Sequence, residues 1–474
     1  MAMECGSEAH TIGVEGIWRR QLGLLDPRKF ARRIGGSEGI IKRMSLYAKL
    51  DGHDGCVNTV QFNPTGDLLV TGSDDRQVIF WEWAAKAKRF SYPSGHSDNV
   101  FQARIMPFTD DRSVITCAAD GQVRHGLILE NGLVDTKRLA KHQGRVHKLA
   151  IEPGSPHIFY SCGEDGVVQH FDLRSHSAAR LFSCSSLSEN KQYHSNVRLN
   201  AIVIDPRNPN YFAVGGFDEY ARVYDIRSSP LDSPVNTFSP NHLIGNDSVH
   251  ITGLAYSATS ELLVSYNDEL IYLFQKNMGM GPNPKSLSAE KLHELDQPQV
   301  YVGHRNARTV KGVNFFGPND EYVVSGSDCG RIFIWKKKGG QLLWLMVGDK
   351  HVVNCLEPHP CVTILATSGL EKNVKLWAPI AEAPIPLPDN AEQIMEANRQ
   401  GREDRSRITV TPDVIMHVLR LQRRQAMVYI ERNARTDFDS DGEAEEDAYI
   451  LRLFGSDASS DEGASANPKE CTIS

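Results

Sequence analysis

An all-β chain closed into a seven-bladed β-propeller, with a helical arm in front and a helix and acidic tail behind, is the fold this sequence predicts. Three observations carry the prediction. First, an acidic turn leading into a short apolar strand that ends on an aromatic residue recurs along the chain. It reads Ser-Asp-Asp-Arg-Gln-Val-Ile-Phe-Trp up to Trp81 and Ser-Asp-Cys-Gly-Arg-Ile-Phe-Ile-Trp up to Trp335. Second, the closing positions Trp81, Gly126, Phe171, Tyr224, Phe274, Trp335 and Trp377 are 45, 45, 53, 50, 61 and 42 residues apart. Seven such units fall within the roughly four to eight blades that propellers use. Third, a Gly-His or its remnant opens most units: Gly52-His53, Gly95-His96, Lys141-His142, Tyr193-His194 and Gly303-His304. The fifth unit lacks it, and the seventh has Gly348-Asp349.

Within a unit, short apolar strands such as Val57–Phe62 alternate with turn residues such as Asn63-Pro64-Thr65-Gly66-Asp67. The pattern resembles the WD-repeat family, known as WD40. That resemblance implies one hydrogen-bonded chain inside each blade, made in blade one by His53, Thr71 or Ser73, Asp75 and Trp81. Its task is to satisfy buried polar groups, each of which otherwise costs about 1–3 kcal/mol. Cys329 and Glu371 stand at the turn-Asp position of blades six and seven, so those two networks are expected to be incomplete. A lone His/Ser/Asp set could be a nucleophilic triad. This one recurs at blade period, and no P-loop, H-E-x-x-H or paired-carboxylate motif accompanies it, so no catalytic residue, metal ligand or cofactor site is expected.

The order along the chain follows. Residues 1–44 form a basic helical arm, with eight Lys and Arg between positions 19 and 43 against Asp26 and Glu38. Ile17, Trp18, Leu22 and Leu25 share one face of a helix over 14–25. Asp26-Pro27 then caps a second helix through Phe30 and Ile34, which Gly35-Gly36 ends. Residues 45–380 form the propeller, whose ring closes when the segment 45–50 joins the blade ending near Trp377. Residues 381–435 are a Pro-rich linker followed by an amphipathic helix, starting at Thr411-Pro412-Asp413 and running to about Arg432. Residues 436–474 are an acidic disordered tail with eleven Asp or Glu. Polar insertions at 228–248 and 275–298 break the blade rhythm and suit binding loops.

Composition bounds the function classes. A net charge of −7 gives no whole-chain attraction to nucleic acid, and no direct nucleic-acid partner is expected. Nine scattered cysteines without Cys-x-x-Cys pairs suit a reduced, intracellular protein, and no apolar run reaches the ~20 residues that span a bilayer.

Two consecutive blades end in aromatic-Asp-x-Arg: Phe171-Asp172-Leu173-Arg174 and Tyr224-Asp225-Ile226-Arg227. An Arg just past a strand end projects from one face of the ring and can make fork-like, charge-assisted bonds to a partner. These residues resemble the DWD box of substrate receptors of cullin-4 RING ubiquitin ligases. The runs 50–60, 325–335 and 353–360 are similar to the eighth-numbered branch of the cullin-4-associated factors, Cys329 included. The resemblance implies a non-catalytic receptor that docks on the ligase's damaged-DNA-binding adaptor protein and recruits an unknown protein substrate. Arg174, Arg227, Asp172, Asp225, Ile17, Trp18, Leu22, Leu25 and Phe30 are the residues expected at the adaptor. The other reading is a WD40 scaffold in a chromatin or signalling complex with no ligase attached.

In the tail, Ser440 and Ser459 each have an acid three residues on, as acid-directed kinases prefer. The ending Cys471-Thr472-Ile473-Ser474 is a C-a-a-X pattern for farnesylation of Cys471. One prenyl chain beside an acidic tail gives only weak, reversible membrane association. Nucleus and cytoplasm are the expected locations, with a peripheral membrane pool if Cys471 is modified.

Overall fold

In each repeat the second strand is buried on both faces, which a lone sheet cannot achieve. Leu69–Ser73, Ser113–Ala118, Leu262–Tyr266, Tyr322–Gly326 and Leu365–Gly369 are buried at every position. Such strands need a neighbouring sheet on either side, and a ring of sheets supplies it. The computed structural model describes residues 14–406 except 176, 187–195, 229–232, 247 and 285–294. It holds seven four-stranded antiparallel sheets. The first strands of successive blades pack side by side around a central channel, and those of the seventh and first blades meet.

Apolar clusters lie between blades rather than within them. One joins Val57, Val60, Leu69 and Trp81 of blade one to Ala366, Val374 and Leu376 of blade seven. Blade two closes on Gly126 because Tyr92 of blade one fills the place an aromatic ring would take. A Cβ on Gly126 would stand 2.9 Å from the Tyr92 hydroxyl.

Closure uses the two ends of the repeat array. The strand Ser45–Asp51 pairs antiparallel with Asn373–Ala378, with Leu46 opposite Trp377 and Leu50 opposite Val374. The seventh blade therefore takes three strands from the end of the array and one from its beginning, leaving no ring edge unpaired.

Ahead of that strand are three helices: α1 (Val14–Gln21), α2 (Pro27–Gly35) and α3 (Glu38–Ile41). The first is shorter than the expected 14–25, because Gly23 adopts φ +72°. The amide of Leu24 turns back to the Arg19 carbonyl at 2.8 Å, so Leu22 and Leu25 lie past the helix end. Asp26 caps α2 by accepting from the amides of Arg28 and Lys29 at 3.0 Å. The root of the arm is fixed to the ring. Ile41 and Met44 are fully buried against Phe316, Tyr322, Trp344 and Trp377, contributing about 1.5–3 kcal/mol each. The Trp344 indole donates to the Met44 carbonyl at 3.1 Å.

A fourth helix, α4 (Ala391–Ser406), occupies part of the segment read as a Pro-rich linker. Ala391, Ile394 and Met395 pack on Tyr301, Trp335 and Leu345, and Asn398 donates to the Gly303 carbonyl at 2.8 Å. The helix expected at 411–432, the acidic tail, Ser440, Ser459 and Cys471 lie outside the described residues.

Candidate docking surfaces

Strand direction divides the ring into two faces. Turns between first and second strands, and between third and fourth strands, form one; the remaining turns and the blade-to-blade connections form the other. Arg174 follows the strand Val167–Asp172 and Arg227 follows Ala221–Asp225, so both stand on the first face. Each guanidinium forks onto the Asp two residues back. Arg174 donates from Nε at 2.9 Å and Nη2 at 2.7 Å to Asp172, and Arg227 from Nε at 2.9 Å and Nη2 at 2.6 Å to Asp225. Those hydrogen bonds hold the Asp172 carboxyl well below its usual range and the Asp225 carboxyl at about 2. The Arg side chains are still 63 % and 60 % exposed. Arg227 also interacts with the Tyr211 side chain. The local fork sets each guanidinium's direction while most of each side chain stays open to solvent.

The arm leaves the ring at this same arginine face. Its root touches the turns of blades six and seven, where Tyr322 donates to the Gly36 carbonyl and Thr363 to the Gly35 carbonyl, both at 2.8 Å. Beyond the root, Ile17, Trp18 and Leu22 are exposed, Trp18 at 64 % and the neighbouring Leu24 at 72 %. Leu25 is half-buried. Phe30 corrects the sequence expectation: it is buried, with the Arg20 guanidinium 5.1 Å from its ring centre, and so serves the arm's own packing.

Sequence reasoning missed further apolar groups on this face. Phe108, at φ +57° in a blade-two turn, is 79 % exposed, and Leu129 and Leu133 lie exposed in the other turn of that blade. Isolated apolar residues carry no periodic signal, so nothing in the sequence marked them. A groove of about 1,150 Å³ opens between blades four and six, lined by Tyr211, Phe238, Tyr256, Leu273 and Phe274 among others. The Arg227 guanidinium lies 5.8 Å from the Tyr211 ring at its border. The 275–298 insertion starts after the strand Ile271–Phe274 and therefore leaves from the arginine face as well.

The opposite, histidine face carries the polar networks. In blade one, His53 bridges Asp75 and Thr71, each at 2.8 Å, and the Trp81 indole donates to Thr71 at 2.9 Å. The hydroxyl in this chain is that of Thr71, not Ser73, which lies one pleat nearer the turn and accepts from the Asp75 amide. Blade two repeats the pattern with His96, Asp120 and Thr116, and blade three with His142, Asp165 and Ser161. Burial raises the Asp120 pKa, but the hydrogen bond from His96 and the amides of Gln122 and Ser97 outweigh it and leave the group at about 2.

Blades four, six and seven depart from that pattern. Asp218 pairs with the fully buried Arg222 at 2.9 Å, Asp328 with the buried Lys311, and Glu371 and Asp349 with Lys375. His304 of blade six is buried, and neither ring nitrogen is bonded among the described residues. Burial, then the charges of Arg402 and Lys311, lower its pKa to about 3, so it is neutral. His194 of blade four lies outside the described residues.

Seven four-stranded blades, the first three carrying this relay, give the chain the fold of a WD40-type β-propeller. The WD domain, G-beta repeat family matches residues 44–82, 296–336 and 340–378. The chain is similar to DDB1- and CUL4-associated factor 6 of Mus musculus, 34 % identical over 300 residues, covering 60 % of this chain and 34 % of that one. It is 33 % identical to the Homo sapiens protein of the same name over 311 residues, covering 62 % and 35 %. It is 30 % identical to Protein ALTERED SEED GERMINATION 2 of Arabidopsis thaliana over 285 residues, covering 52 % and 38 %. The chain thus spans a little over a third of the length of these curated relatives.

Proposed function

We propose that this chain is a non-catalytic substrate receptor of a cullin-4 RING ubiquitin ligase. The arginine face and the arm hold the ligase adaptor, and the histidine face receives the protein to be ubiquitinated. One observation carries the reading. Two forked Arg-Asp corners in adjacent blades share a face with an arm whose Ile17, Trp18, Leu22 and Leu24 are exposed. Apolar anchors beside oriented guanidiniums are what a tight protein interface uses. Similarity to proteins named DDB1- and CUL4-associated factors supports the same partner class. The runs 50–60, 325–335 and 353–360 favour the eighth-numbered branch of those factors. Residence in nucleus and cytoplasm, and farnesylation of Cys471, belong to the same proposal.

The test is binding of purified adaptor to the full chain. Changing Arg174 and Arg227 together to Ala is expected to weaken it at least about tenfold, or ~1.4 kcal/mol, and Trp18→Ala with Leu24→Ala by a similar factor. The local forks favour a second reading, in which each Arg only braces its own blade corner and the propeller is a scaffold without a ligase. Under that reading the double variant lowers the melting temperature and leaves adaptor affinity unchanged.

A further inference from the structure

The histidine face is not electrically uniform. In blades one to three each turn Asp hydrogen-bonds to a histidine. In blades four, six and seven the turn acids are instead matched by full cations, Arg222, Lys311 and Lys375. The same three blades also carry exposed cations that are not members of these pairs. Arg198 precedes the first strand of blade four, Arg308 and Lys350 precede those of blades six and seven, and Lys372 sits in the blade-seven turn. All four are exposed, and none is a member of the ion pairs above, although Lys350 lies near enough to Glu371 to help lower its pKa.

Arg198 is also held in place. Its guanidinium lies 3.8 Å from the centre of the Phe217 ring, and the His250 imidazole stacks on the same ring at 4.6 Å and 4°. A guanidinium lying on an aromatic ring keeps its edge donors free for a carboxylate and loses little freedom on binding one. Exposed Asp54 and Asp98 mark the other side of the face, and Asp268 and Glu269 of blade five interrupt the cations. A continuous phosphate backbone would meet those acids, whereas a peptide can set its carboxylates between them.

We propose that the histidine face of blades four, six and seven recognises an acidic, extended peptide segment of the recruited protein, with Arg198 as the oriented anchor. This deepens the receptor reading and rests on the arginine face being the adaptor side. The probe is a short fluorescent oligo-aspartate peptide, titrated into the full chain by anisotropy at low and at physiological salt. Binding that weakens with salt is expected. The combined variant Arg198→Glu, Arg308→Glu, Lys350→Glu and Lys372→Glu should bind at least about tenfold more weakly while its circular dichroism and adaptor affinity stay unchanged. Arg198→Ala alone, an exposed position that leaves the fold intact, should weaken binding about threefold. Arg174→Ala with Arg227→Ala should leave peptide affinity as it was, so loss of adaptor binding there tests the receptor reading separately. Equal peptide affinity for the wild-type chain and the fourfold variant overturns the proposal. So does a single-stranded oligonucleotide that competes for the same four residues with higher affinity than the peptide.

Discussion

Blades one to three and blades four, six and seven solve the same problem with different chemistry. Each must bury a turn carboxylate and keep it bonded. The first three use a relay of Asp, His and a Ser or Thr hydroxyl, completed in blade one by Trp81. The others use an ion pair, supplied from the third strand by Arg222 and Lys375 and from the blade-to-blade connection by Lys311. A relay costs little to assemble because its parts are mostly neutral. A buried ion pair must recover a large desolvation cost, and breaking one leaves a charge with no water to solvate it. The two sectors should therefore fail differently when single residues are changed.

The largest contrast is expected at Lys311. Lys311→Met strands Asp328 in the interior and should cost about 3–5 kcal/mol in chemical denaturation. Adding Asp328→Leu should return most of that stability, since neither charge then remains buried. A single-variant loss below about 1 kcal/mol would mean that the pair is solvated and the distinction between sectors false.

The next contrast uses one substitution at two equivalent places. His53→Leu removes one hydrogen-bond partner from each of Thr71 and Asp75 and should cost about 1–3 kcal/mol. His304→Leu removes a ring with no bonded nitrogen and should change stability by less than about 1 kcal/mol. Similar losses at both sites would show that packing, not the relay, sets the value of this histidine.

The smallest contrast is in acid. With its folded pKa near 2, Asp120 adds stability that is present above its unfolded value and lost as pH falls toward 2. Asp349 has the opposite sign: burial raises its pKa, so ionisation costs stability above the folded value and protonation relieves that cost. His96→Ala should therefore flatten the acid side of the stability curve. Asp349→Asn should instead be near neutral at pH 7 and remove a small gain on acidification. Parallel curves for the two variants would erase the difference.

The ring was legible because a propeller repeats its constraint: each blade needs an apolar strand, an acidic turn and a filler for the next blade. Even Gly126 could be placed by phase, although Tyr92 explains why it is Gly. The ion pairs were not legible, because Arg222 and Lys375 each lie four residues past their acids while Lys311 stands on the connection before its own, and two such coincidences form no motif. The helix α4 escaped because its buried stripe is only Ala391, Ile394 and Met395, continued by a polar Asn398. Of the expected adaptor residues, Arg174, Arg227, Ile17, Trp18 and Leu22 stand exposed. Phe30 does not, since amphipathic spacing alone cannot say whether a helix face turns to a partner or to its own chain.

The pairing of Ser45–Asp51 with Asn373–Ala378 has a consequence for manufacture. A ribosome delivers the sealing strand first and its mate more than three hundred residues later. The nascent chain must keep that strand single until the last sheet emerges. The arm is continuous with the seal, so a molecule gripping both the arm and the neighbouring blades would act as a clasp over the seam, stabilising the finished ring in proportion to its own occupancy.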